Sequence, residues 1–145
     1  MTNVLFLIVD ELSWWALGHT GGVAVTPNID ALAAQSLRFT AAYTPSPMCV
    51  PARAAIAAGV PVSDTGCWSS AEAYTGTPRG WGHVCQDAGV RVESFGKLHF
   101  RRADDPTGFD RQTEPLHVPH DGMGWVRGLP STPPVRYPRP PALHP

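Results

Sequence analysis

A chain of 145 residues, 43% hydrophobic and 16% charged, is long enough for one modest soluble domain with a real core. Its 11 basic and 12 acidic residues leave a formal charge of -1 and form no charged block, which excludes the broad positive field that nucleic acid or an anionic membrane surface requires. Any anionic ligand has to be held locally.

Residues 3–11, "NVLFLIVDE", are a continuous apolar run ending in two carboxylates. This is the pattern of a strand buried on both faces in a parallel sheet, and it leaves Asp10 and Glu11 just past the strand's carboxyl end. No positive side chain precedes the run, and Val4 to Val9 is too short for a secretory h-region or a membrane span, so a cytoplasmic protein without a membrane partner is expected. "GHTGG" at 18–22 lacks the lysine and spacing of a nucleotide loop and reads as a turn. "TPNIDALAAQS" offers Thr26 as N-cap and Pro27 at the first helical position, with Ile29, Leu32, Ala33 and Ser36 on one helical face. "LRFTAAY" follows as a strand, which would close a right-handed βαβ unit.

In "PMCVPARAAIAAG", residues 47–59, Pro51 suits a first helical turn, "ARAAIAA" has strong helix propensity and Gly59 suits the C-terminal cap. Cys49 therefore falls at a helix start. "GWGHVCQDAG" predicts a short helix stopped by Gly89, and "VRVESF" a strand whose exit is "GKLHF". On an extended chain the two-residue spacing of Lys97 and His99 puts both on one side. The order β, α, β, α, α, β is that of an α/β fold, in which ligands bind beyond the carboxyl ends of the strands. Asp10, Glu11, Lys97 and His99 are expected at that edge, with Cys49 on an adjoining helix start. The proline cluster "LPSTPPVRYPRPPALHP" cannot continue a helix or inner strand. An ordered part over 1–128 and a disordered tail over 129–145 are expected.

A helix start offers unpaired N–H groups and the positive end of the helix dipole to a tetrahedral oxyanion, and Arg53 and Lys97 add fixed positive charge. Asp10 and Glu11 would repel that anion unless a divalent cation lay between them. Sulfur is a poor donor to a hard cation, so an oxygen-bearing side chain would suit position 49 better than a thiol. Alone, Cys49 reads first as a buried structural thiol. Cys67 and Cys85 read the same way, since three cysteines without a C-x-x-C pair build no disulfide framework.

"CVPAR" fits the C-x-P-x-R motif of the sulfatases. "NVLFLIVDE", "TPNIDALAAQSLRFTAAYTPSPMCVPAR" and "GKLHF" stand in the order and approximate spacing of that family's choline-sulfatase and phosphonate-monoester-hydrolase branch. Over roughly its first 100 residues the chain resembles the N-terminal portion of a formylglycine-dependent sulfatase. The resemblance implies an α/β fold, an alkaline-phosphatase-like parallel-sheet sandwich of which this chain would be an incomplete N-terminal part. It implies a sulfuric ester hydrolase whose nucleophile is formylglycine, made from Cys49 by a formylglycine-generating enzyme. Asp10, Glu11 and the modified Cys49 would bind a divalent metal, Ca2+ foremost, with Mg2+ or Mn2+ as alternatives. Arg53 would orient the modified side chain, and Lys97 and His99 would hold the sulfate. The implied chemistry is covalent: the hydrated aldehyde attacks sulfur, the alcohol leaves, and re-formation of the aldehyde expels sulfate.

Glu11 stands where the family commonly has Asp or Gln, and Ala58 where Thr or Ser often precedes the glycine. The implied substrate is a small-molecule sulfate ester, with a phosphonate or phosphate ester as the alternative. Because full sulfatases are far longer and draw further metal ligands from their second half, a truncated, catalytically inactive copy is a third expectation. His19, His83, His117 and His120 show no ligand spacing and are expected to be structural. The pair Trp14 and Trp15 is expected to pack near the site mouth or in the core.

Overall fold

The computed structural model describes residues 3–118, which divide into two compact units between Tyr43 and Thr44. The first contains helix α1 (Pro27–Ala34). The second contains α2 (Cys49–Ala58), α3 (Val62–Thr65), α4 (Trp81–Asp87) and strands β1 (Glu93–Lys97) and β2 (Arg111–Leu116).

In the first unit, two short 3-10 turns, Trp14–Ala16 and Gly18–Thr20, precede α1. Thr26 occupies the N-cap position, but its hydroxyl does not cap the helix. It donates instead to Asp30 Oδ1 at 2.8 Å and accepts the Gly18 N–H at 2.9 Å. The same Asp30 oxygen accepts the His19 backbone N–H at 2.9 Å and lies 3.3 Å from His19 Nδ1. One carboxylate in the first helical turn thus fastens the preceding turn to α1. These donors, Thr26 first, hold the Asp30 carboxyl below the usual carboxylate range.

The core of the second unit is built on α2, which buries Val50, Pro51, Ala54, Ala55, Ala57 and Ala58. Alanines on the packed face leave little side-chain bulk, so backbones approach closely. A Cβ on Gly80 would sit 1.8 Å from the Ala57 carbonyl oxygen, which is why glycine precedes α4. Ala54, Ala57 and Ala58 cluster with Cys67, Tyr74 and Phe100, and Leu98 and Phe109 pack against them. Tyr74 and Phe100 meet edge to face with centroids 5.2 Å apart. Gly59 ends α2 at φ 72°, its N–H donating to the Ala55 carbonyl, as the sequence predicts.

β1 and β2 pair in parallel, with Glu93 opposite Arg111, Phe95 opposite Thr113 and Lys97 opposite Leu116 across an irregularity between Phe95 and Lys97. They are joined by residues 98–110 without a crossover helix. This small parallel sheet with its helices is an incomplete α/β arrangement.

The predicted first strand is not formed: residues 3–9 are irregular, Asp10 and Glu11 lie in a turn, and Val4 is 89% exposed. "LRFTAAY" is also irregular, so no βαβ unit exists among the described residues. The physical reason is shared. A strand apolar on both faces gains its stability from neighbouring strands and covering helices, and none among the described residues covers these segments. Trp14 and Trp15, expected in the core or at a site mouth, are 72% and 62% exposed. The expected tail over 129–145 and its boundary at 128 lie outside the described residues. No helix among the described residues is long and apolar enough to cross a membrane.

Candidate functional site

Cys49 is the first residue of α2, a ten-residue helix whose N-cap is Met48. Its Sγ lies 3.2 Å from His99 Nδ1. Arg53, four positions on and therefore one turn along the same face, donates from its guanidinium to the backbone carbonyl of Lys97. The structure thus brings Cys49, Arg53, Lys97 and His99 together where the start of α2 meets the end of β1. All four are half-buried.

The route by which Lys97 and His99 arrive differs from the expectation. Lys97 ends β1, but His99 adopts φ 54°, so the chain is not extended and the two-residue spacing argument does not hold. A left-handed backbone costs a non-glycine residue about 1–2 kcal/mol. It is held by the Leu116 carbonyl, which accepts the N–H groups of Leu98 at 3.2 Å and His99 at 2.8 Å. The turn aims the imidazole at α2.

Asp10 and Glu11 are exposed and belong to the first unit. Glu11 has φ 57°. Their carboxylates are hard oxygen donors of the kind calcium and magnesium take, whereas the encoded thiol at position 49 is soft. Among the described residues no three His, Cys, Asp or Glu side chains gather as a metal site. Two carboxylates fall well short of a full oxygen shell, so the described residues do not by themselves complete a cation site.

All three cysteines are free. Cys67 is buried, as expected, and burial pushes its thiol up; Cys85 is only half-buried. His83 is structural, as expected: it is buried, its Nδ1 accepts the Gly80 N–H at 3.1 Å, and its Nε2 donates to the Pro106 carbonyl at 2.6 Å. His120 lies outside the described residues. Sequence reasoning missed two groupings, the attachment of His19 to Asp30 and the burial of the His117 ring nitrogens. Neither has ligand spacing; both depend on contacts made only after the chain turns back.

At the start of α2, Cys49 and Arg53 meet His99 and Lys97 from the end of β1 and the turn that follows it. The sequence model of the family described as Sulfatase matches residues 2–132. The chain belongs to the sulfatase family. It is 34% identical to the choline-sulfatase of Rhizobium meliloti (strain 1021) over 125 residues, covering 86% of this chain and 24% of the relative. It is 37% identical over 98 residues to the uncharacterized sulfatase YidJ of Escherichia coli (strain K12), covering 67% of this chain and 20% of the relative. Against arylsulfatase A of Bos taurus it is 45% identical over 58 residues, covering 39% of this chain and 11% of the relative. The chain therefore spans about a quarter or less of the relatives it matches. No solved structure matches it.

Proposed function

We propose that this chain carries the nucleophile-bearing part of a sulfuric ester hydrolase of alkaline-phosphatase-like fold. Cys49 is converted to formylglycine by a formylglycine-generating enzyme, and the substrate is a small-molecule sulfate ester. The observation that carries this reading is the contact of Cys49 Sγ with His99 Nδ1 at the start of α2, beside the bond from Arg53 to Lys97. Water adds to the aldehyde to give a geminal diol; one hydroxyl attacks sulfur as the alcohol leaves, and loss of the proton from the other re-forms the carbonyl and breaks the C–O bond to sulfate, so sulfur need not be attacked twice.

The remaining roles fall to the chain's own groups. His99 Nδ1, beside the position-49 side chain, holds or moves a proton at that atom. Arg53 orients it and offsets developing negative charge, while Lys97 neutralises the ester's anionic oxygens. The N–H groups at the start of α2 add to the same field. Asp10, Glu11 and the modified residue 49 would supply donors to a divalent cation, Ca2+ by preference with Mg2+ or Mn2+ as alternatives.

Peptide mass spectrometry across Cys49, on the chain co-expressed with a formylglycine-generating enzyme, tests the reading. An aldehyde at position 49 is expected; a thiol retained at full occupancy overturns it. Turnover of an aryl sulfate in preference to an aryl phosphonate then identifies the ester, and the reverse preference replaces sulfate with phosphonate. Modification without turnover of either marks this chain as an inactive fragment.

A further inference from the structure

Both ring nitrogens of His117 are buried and make no well-formed hydrogen bond among the described residues, although the Phe100 carbonyl is near enough to favour the charged ring. Its ring lies over Phe100, centroids 6.4 Å apart and planes tilted by 33°. On one side of it, the Leu116 carbonyl accepts the N–H groups of Leu98 and His99. On the other, the Val118 N–H donates to the Phe100 carbonyl at 3.1 Å. Residues 116–118 are thus stitched to 98–100 on both sides of an imidazole that packs inside the stitch.

A neutral imidazole can remain there, at the cost of two unsatisfied nitrogens. An imidazolium would bring two N–H donors and a charge. The Phe100 carbonyl already accepts Val118. Asp105, the charged group among the described residues that acts on the ring, is engaged by the Arg101 guanidinium, Nε to Oδ2 at 2.9 Å.

We propose that His117 is an acid-labile positioning residue: while neutral it seats residues 116–118, whose Leu116 carbonyl holds His99 in its left-handed turn with Nδ1 at position 49, and protonation unseats them and releases His99. Burial holds the ring below the ordinary imidazole range, opposed by the Phe100 carbonyl and Asp105. The unfolded chain therefore binds this proton more readily than the folded one. The seat is intact above the ordinary imidazole range and is lost as pH falls through it toward the folded value. What this means for ester hydrolysis rests on the reading above; the coupling itself needs neither formylglycine nor substrate.

NMR on the isotopically labelled chain without substrate provides the test. The His117 ring is expected to titrate below pH about 6.5. Over the same interval, amide exchange at Leu98 and His99, corrected for intrinsic rates, should rise roughly tenfold. In His117→Phe, which keeps a ring over Phe100, exchange should stay flat with pH. A ring titrating at the ordinary imidazole value, or an equal rise in His117→Phe, overturns the proposal. Should that variant not fold, the wild type decides: exchange rising at a pH where the ring does not titrate overturns it. Failure here leaves the hydrolase reading standing, and a thiol retained at Cys49 leaves the coupling standing.

Discussion

The guanidinium of Arg53, one turn into α2, is bonded to the carbonyl of Lys97, the last residue of β1. This joins the helix that carries the candidate nucleophile to the strand exit that carries its neighbours. Lysine at 53 keeps the charge but loses the planar fork. Arg53→Lys is therefore expected to lower unfolding stability by about 1–2 kcal/mol. The urea midpoint measures this, and an unchanged midpoint would remove Arg53 as the link.

The backbone of His99 and its ring can be separated by substitution. Asparagine tolerates the left-handed region, whereas a β-branched residue does not. His99→Asn should fold with stability near wild type while removing the ring from Cys49. His99→Val should lose about 1–2 kcal/mol more than His99→Asn. Equal stabilities in denaturant would show that the turn at φ 54° carries no strain.

Gly80 is the point of closest approach between α2 and the segment leading into α4, because a Cβ there would meet the Ala57 carbonyl oxygen at 1.8 Å. Backbone has to move to admit it. Gly80→Ala should destabilise the second unit by about 2–3 kcal/mol, seen as a lower thermal midpoint.

Phe100 is 2% exposed and touches Tyr74 and Phe109. Its truncation leaves a cavity and also removes the surface over which His117 lies. Phe100→Ala should cost about 3–5 kcal/mol in equilibrium unfolding. A loss under about 1 kcal/mol would place the core elsewhere.

Asp30 gives the first unit its own acid sensitivity. Its carboxyl is held below the usual carboxylate range, chiefly by the Thr26 hydroxyl. The folded chain therefore releases this proton more readily than the unfolded one. The contribution is present above pH about 4 and is lost as pH falls through the folded value. Amide exchange at His19, whose N–H donates to Asp30, should accelerate over that interval in wild type and show no such step in Asp30→Asn.

Much of the second unit was legible in advance. The helix over "CVPARAAIAA" with its glycine stop and the short helix before Gly89 follow from propensity and local punctuation and are found, while the strand expected over "VRVESF" forms two to three residues later, at Glu93–Lys97. β2 was not predicted. "RQTEPL" alternates weakly and contains a proline, and it is held as a strand by pairing with β1. "NVLFLIVDE" erred the other way. Its composition states a demand for burial that nothing in the described chain meets, so the strongest strand signal in the sequence is irregular and exposed. In the candidate site, Cys49 and Arg53 were readable as a helix start and its first turn. The meeting of Cys49 with His99 was not, because it spans 50 residues and depends on one positive φ.

By itself the sequence determined family, helix starts and stops, and the residue types able to act on an oxyanion ester. Each of these is carried by neighbours a few positions apart, where backbone preference and spacing suffice. Only the tertiary structure decided which of those residues touch, that Thr26 serves Asp30 rather than its helix, and that the ring nitrogens of His117 are buried beside Phe100. Those outcomes depend on contacts between distant segments, whose energies arise only once the chain has closed on itself.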